Sequence, residues 1–234
     1  MIAQNGDTLK VVSYNLLHYP DISSGGATVA DTSNRHPHYR NIISAMNPDI
    51  LVVEEVQSTA GFTWFLNDVL NANQNVYSGA TFVNGPDMDA GLYYKASKFQ
   101  FIATKTIITD LRNIYEYTLK HLTSNDTLRV YAVHLKASVG AAEEQQRLSE
   151  VDSLRKVTNA LPLGSNFIVC GDFNIYGAQE PAYAKLLQVQ PGTEGHVFDM
   201  INLSGTWNNS IYAAHHTQST RTRSFWRWIN RRNG

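Results

Sequence analysis

Apolar residues along the chain switch several times between two periods, and each switch marks a predicted element. Residues 9–15 (LKVVSYN) are β-branched and aromatic and predict an opening strand. Residues 20–34, rich in Gly, Ser, Thr and Asp, read as a loop. Tyr39, Ile42, Ile43 and Met46 fall at i, i+3, i+4 and i+7, the stripe of a short amphipathic helix that Asn47-Pro48-Asp49 ends. Residues 50–53 are continuously apolar, so this strand is expected to be covered on both faces. Residues 61–70 read as helix. Strands are then predicted at 76–83, 91–94, 99–108, 115–122 and 128–136, with Asn84-Gly85-Pro86-Asp87 and Ser124-Asn125-Asp126 as turns between them. From Ala141 a longer helix puts Leu148, Val151, Leu154, Val157 and Leu161 on one stripe. Gly164-Ser165-Asn166 breaks it, and 167–170 is another short strand expected to be buried. The order β, α, β, α, a run of strands, then α, β predicts an α/β (α+β) chain whose two sheets lie between helices.

Composition adds mainly exclusions. The 234 residues, 43% hydrophobic and 17% charged, suit one domain with an ordinary core. A formal charge of −1 gives no general attraction to a polyanion. One Cys excludes a disulfide framework and a cysteine-built zinc site. No apolar run approaches the roughly 18 residues of a membrane span, and residues 1–10 hold no signal-peptide core. Ala3-Gln4-Asn5-Gly6 has the character of residues that follow signal-peptide cleavage, which points to a secreted or periplasmic full-length parent.

Candidate chemistry lies where polar residues interrupt apolar strands. Asn15 ends VVSYN, Glu54 and Glu55 follow DILVV, His134 closes VYAVH, and Gly171, Asp172 and Asn174 follow FIVC. Taken singly, the asparagines suit turns, the Glu pair a solvated strand end and the histidine a satisfied core or surface position. Taken together, four strands deliver oxygen and nitrogen groups at their C-terminal ends, where open α/β sheets bind ligands. There is no GxSxG elbow, and Gly25-Gly26 lacks the Lys-Ser/Thr of a phosphate loop. A thiol-free, oxygen-rich set suits a hard cation such as Mg²⁺ that shares phosphate oxygens with its substrate. A nearby Asp could align or deprotonate water, and a His could stabilise charge or donate a proton.

SYN at 13–15, DILVVEEV at 49–56, VHLK at 133–136 and GDFN at 171–174 occur in that order. On these motifs, residues 9–225 resemble the endonuclease/exonuclease/phosphatase superfamily. The resemblance implies a four-layer α/β/β/α sandwich of two mixed sheets and divalent-metal-dependent cleavage of phosphoester bonds, with Mg²⁺ expected and Mn²⁺ or Ca²⁺ as alternatives. It implies metal-site roles for Asn15 and Glu55, and a supporting role at most for Glu54, where many members carry Gln. His134 matches the catalytic histidine of the deoxyribonuclease and sphingomyelinase branches. Asp172 matches the residue that orients or activates the nucleophile, and Asn174 a transition-state phosphate contact. Arg147, in EEQQR, reads as a solvated helix face rather than a site residue. The leading expectation is a monomeric DNA endonuclease with nucleic acid as substrate and no stable protein partner. The alternatives are a sphingomyelinase-like enzyme, an inositol-phosphate phosphatase, or an inactive copy that at most binds. A sphingomyelinase would want an exposed aromatic hairpin, for which Tyr115 and Tyr117 are weak candidates better read as core. A nuclease would want Arg35, His36, His38 and Tyr39 on its substrate, with helix-start packing as the alternative.

The family pattern closes with an Asp-bearing strand and a Ser-Asp-His motif, and neither is found here. The chain instead runs from Phe225 through two Trp and three Arg. One reading is a basic-aromatic tail that grips nucleic acid by stacking and charge. The preferred reading is a frameshift product: with assumed TGG and CGG codons, one deleted base turns this segment into Phe-Gly-Gly-Gly-Ser-Thr-Gly-Gly-Met, like the Gly-rich loop of relatives. The chain then divides into a domain at 1–225 and an atypical tail at 226–234. The last strand or strands and an acid/base pair are expected to be missing, leaving an exposed sheet edge and weak activity.

Overall fold

The computed structural model describes residues 8–20 and 29–217. The N-terminal segment, Gly25-Gly26 and the Trp/Arg tail lie outside the described residues. Among the described residues, eight strands form two four-stranded sheets. The first holds β1 (Val11–Tyr19), β2 (Ile50–Val56), β4 (Asp89–Lys95) and β3 (Tyr77–Gly79), in that order. The second holds β5 (Phe99–Ile107), β6 (Ile114–His121), β7 (Thr127–His134) and β8 (Asn166–Asp172). Pairs β1/β2 and β7/β8 are parallel and the rest antiparallel, so both sheets are mixed.

The alternation of side chains along β2 explains its continuous apolar run. Ile50 and Val52 point between the sheets, onto Leu92, Tyr115, Tyr117, Val130 and Ala132. Leu51 and Val53 point outward, onto Tyr39, Ile43, Phe62 and Phe65 of the helices α2 (His36–Met46) and α3 (Thr59–Phe65). All four are fully buried, as a strand covered on both faces requires. Helix α2 follows a short α1 (Val29–Ser33), starts with Pro in its first turn and stops at Asn47, whose φ of 45° is the left-handed conformation of a helix cap. On the far side, α4 (Ala141–Asn159) and α5 (Pro181–Leu187) set Val151, Leu154, Ala182 and Leu186 against Ile114, Tyr131, Val133 and Leu135. The layers are therefore helix, sheet, sheet, helix. Among the described residues, no helix is long and apolar enough to cross a membrane.

Several expectations change in detail. The predicted strand at 76–83 shrinks to β3, and α4 ends before Leu161. Strand β8 is only half buried, because among the described residues it is the outer strand of its sheet. Tyr115 and Tyr117 are fully buried and donate their hydroxyls to Asp89 Oδ1 and the Ala90 carbonyl, so they offer no aromatic hairpin to a membrane.

The largest correction concerns Arg147, which is 0% exposed rather than solvated. Its Nε donates to Glu180 Oε2 at 2.8 Å, and its Nη1 donates to the carbonyls of Lys136 and Ser138 at 2.9 Å. The guanidinium also lies 5.4 Å from the ring centroid of Tyr176. A buried charge is tolerable only when it is paired and hydrogen-bonded in this way. It ties the connection after β7 to the loop after β8, with a partner 33 residues downstream that no helical periodicity can reveal.

Candidate active site

Parallel pairing sends the C-terminal ends of β1 and β2 the same way, and likewise β7 and β8. The facing sheets then bring all four ends to one edge. Register places Asn15 beside Glu54 and His134 beside Asp172. The Asn15 amide spans the gap between sheets: Nδ2 donates to Glu55 Oε1 at 2.8 Å and to Asp172 Oδ2 at 3.1 Å. His134 Nε2 lies 3.9 Å from Glu55 Oε1. The backbone N–H of Asn174 donates to Asp172 Oδ1 at 3.2 Å, and its side chain donates to the Leu135 carbonyl at 3.1 Å. The structure thus gathers the five residues to which the sequence reading gave metal or catalytic roles: Asn15, Glu55, His134, Asp172 and Asn174.

One ligand atom from each of Glu55, His134 and Asp172 falls within 4.8 Å of the others. Two carboxylates and an imidazole at this range are a donor set that fits a divalent cation. Asn15 turns its NH₂ toward both carboxylates, while its carbonyl accepts from the Leu17 N–H at 2.8 Å. In this arrangement it bridges the two acids, and its oxygen would reach a cation only after the amide turns over. His134 is buried, and burial together with the charge of Arg112 pushes its pKa down, against the opposing pull of Asp172 and Glu55.

Glu54 sits beneath this cluster, 1% exposed, with Oε1 accepting from Ser13 Oγ at 2.7 Å. Burial raises its carboxyl to about 8; the Ser13 hydrogen bond opposes the rise, and the charges of Asp172 and Glu55 add to it. Glu54 is therefore protonated at neutral pH in the metal-free protein. An acid with a raised folded-state pKa contributes stability that is full below its unfolded pKa and is lost as pH rises toward 8. Metal-free protein is expected to lose on the order of 3–4 kcal/mol from this group between pH 5 and 8. Thermal melts of Glu54→Gln against the parent in EDTA check this. The parent's melting temperature should fall more steeply with pH, and parallel curves would disprove the protonated acid.

The backbone around Glu55 is unusual. Between Asn15/Glu54 and Tyr19/Val56 the β1/β2 register breaks, with three residues on one strand facing one on the other. Leu17, His18 and Glu55 take φ values of 52°, 51° and 63°. Each left-handed residue costs about 1–2 kcal/mol, and such strain persists only where surrounding contacts over-determine it. Here the His18 N–H donates to Glu55 Oε2 at 2.9 Å, and Tyr39 donates its hydroxyl to the Leu16 carbonyl at 2.7 Å. Arg35 Nη2 donates to the carbonyls of Leu16 and Leu17. Arg35 and Tyr39 thus hold the bulge instead of facing a substrate, and His36 is buried against the Tyr19 hydroxyl at 2.9 Å. Of the four nuclease-contact candidates, only His38 is exposed. The bulge also turns His18, which the strand-end pattern did not single out, onto the cluster: its Nε2 lies 3.5 Å from Glu55 Oε2.

The Endonuclease/Exonuclease/phosphatase family model matches residues 12–232. The chain belongs to this family. Its members are phosphoesterases that use divalent metals, and Glu55, His134 and Asp172 at the strand ends could hold one. No curated protein matches the chain in sequence. Among solved structures it is similar to a humanized D. rerio TDP2, at TM-score 0.59 and 16% identity over 79% of this chain and 68% of that one. D. rerio TDP2 complexed with a single strand DNA product gives TM-score 0.55 and 16% identity, over 73% and 62% of the two chains. The mannosyl-6-phosphatase of Bacteroides thetaiotaomicron gives TM-score 0.55 and 18% identity, over 76% and 69%. The chain spans about two thirds of the length of these proteins, and at such identities the likeness is one of fold.

Proposed function

We propose that this family member hydrolyses phosphodiester bonds in DNA with the aid of a divalent metal, as an endonuclease. The observation that carries the reading is the meeting of Glu55, His134 and Asp172 within 4.8 Å at the ends of strands from both sheets. Glu55, with Asn15 beside it, would hold the metal, which when bound polarises a phosphoryl oxygen and offsets developing negative charge. Asp172 is oriented on its two oxygens by Asn15 and the Asn174 N–H. It can therefore align an attacking water and take its proton. His134, its pKa lowered by burial, turns Nε2 toward Glu55 and can hydrogen-bond a non-bridging phosphoryl oxygen. Asn174 stands beside them as a second hydrogen-bond donor to that phosphate. DNA is favoured as substrate by the fold shared with a TDP2 that holds a single strand DNA product.

The test is incubation of the purified chain with supercoiled plasmid and, separately, with mannose 6-phosphate, each with Mg²⁺ or Mn²⁺ and with EDTA. Metal-dependent nicking supports the proposal. Phosphate release from the sugar without nicking would make the protein a phosphomonoesterase, like its mannosyl-6-phosphatase fold neighbour. Inertness toward both would overturn the catalytic reading.

A further inference from the structure

The buried ion pair of Arg147 and Glu180 lies behind the site, one step removed from the groups that would touch substrate. We propose that the two are positioning residues for the phosphoester chemistry: they fix the connections after β7 and β8 so that His134, Asp172 and Asn174 keep one geometry. The inference rests on the proposed function, since it ties the pair to the reaction assigned to those three residues.

The bonds of the pair reach both connections close to the site. Arg147 Nη1 donates to the Lys136 and Ser138 carbonyls, just past His134, each at 2.9 Å. Glu180 Oε2 accepts from Arg147 Nε at 2.8 Å, and its Oε1 accepts from the Tyr176 N–H, just past Asn174, at 2.7 Å. Glu150, one turn along α4 from Arg147, accepts from the Lys136 N–H at 2.9 Å. The two connections are also bonded to each other at the site. Asn174 Nδ2 donates to the Leu135 carbonyl at 3.1 Å, and the Leu135 N–H donates to the Asp172 carbonyl at 2.9 Å. A shift of either connection therefore moves the reacting groups. Both connections carry left-handed residues, Ser138 with φ of 79° and Asn174 with φ of 49°. Such backbone persists only where surrounding contacts over-determine it. Arg147 and Glu180 are 0% and 2% exposed. Apolar side chains can often replace a buried ion pair without loss of stability, but they would make no directed bonds to two connections at once. The rigid fork of arginine does so, with Nε and Nη1 aimed at different partners.

The test takes the full chain with supercoiled plasmid and Mg²⁺, below the melting transition of each variant, together with amide hydrogen exchange of the same proteins without substrate. Arg147→Lys keeps the charge and loses the fork. Arg147→Met combined with Glu180→Gln removes both charges, leaves no unpaired buried ion, and guards against a single variant that fails to fold. In both, kcat should fall by about ten- to a hundredfold, the usual cost of losing a group that orients a site residue from behind. KM and the Mg²⁺ concentration for half-activation should stay within about twofold, since the defect lies in the reaction step. Glu55 stands on the other sheet, outside the bonds of the pair. Amides of residues 135–138 and 174–176 should exchange at least about tenfold faster, with those of β2 unchanged. Folded variants with the parent's kcat, a change confined to KM, or an even rise in exchange across the chain would make the pair structural only, and the proposed function would stand. A parent chain that nicks plasmid with neither Mg²⁺ nor Mn²⁺ would overturn the proposed function and this inference with it.

Discussion

Asp172→Asn is expected to lower kcat/KM for plasmid nicking by about 10²–10⁴, the range general-base catalysis contributes, with little change in folding. The carboxamide matches the carboxylate in shape. Its oxygen can still accept from Asn15 Nδ2, which donates at 3.1 Å, or from the Asn174 N–H at 3.2 Å. What it cannot do is take a proton from water. Removing one of the negative charges clustered around Glu54 also relieves repulsion, so the melting temperature should hold or rise. Excess metal should not restore the rate, because the loss lies in the proton transfer. Glu55→Gln makes the useful contrast. Its defect lies in holding the cation, so millimolar metal should restore part of its activity. Steady-state rates at graded metal concentrations for both variants separate the two roles. Full activity in Asp172→Asn would remove it from the chemistry.

Gly171→Ala is expected to destabilise the protein by more than about 4 kcal/mol, the exceptional end for a single substitution. In a domain of this size that lowers the melting temperature by roughly 8–16 °C. Gly171 has a φ of 140°, and a Cβ built there lies 1.9 Å from the carbonyl oxygen of Val133. That oxygen belongs to β7, the parallel neighbour of β8, with Val133 opposite Gly171 in register. Relief would require the strands to part just where His134 and Asp172 face each other. Activity should therefore fall together with stability, unlike in Asp172→Asn. Denaturation by heat and by urea checks the magnitude; a change below 1 kcal/mol would mean that the strands separate there at little cost.

Much of this was legible in the residues. The double burial of Ile50–Val53 and the turn after Met46 follow from periodicity and local chemistry, and the structure bears them out. Asn15, Glu55, His134, Asp172 and Asn174 were legible because a polar residue at the end of an apolar strand is conspicuous against its neighbours. Arg147 and Glu180 were not: each looks like an ordinary helix-surface residue, and only their pairing across two connections accounts for their burial. Arg35 and Tyr39 misled for a similar reason. Polar groups near a site suggest a ligand, yet these two hold the carbonyls of a strained bulge. His18 was missed because its position depends on that bulge, and a register break leaves no mark in a hydrophobic pattern.

The sequence by itself determined most of the strands and helices, though not α1 within the expected 20–34 loop or the short extent of β3, and it determined which faces are apolar and which polar groups sit at strand ends. These properties depend on neighbours within a few residues, where propensity and period act directly. Only the tertiary structure decided that Asn15 reaches across 157 positions to Asp172, and that Glu54 is held protonated while Glu55 turns to the site. It also decided that a second histidine joins them. These outcomes depend on distances between separate strands and on the loss of water around them, which no local pattern encodes.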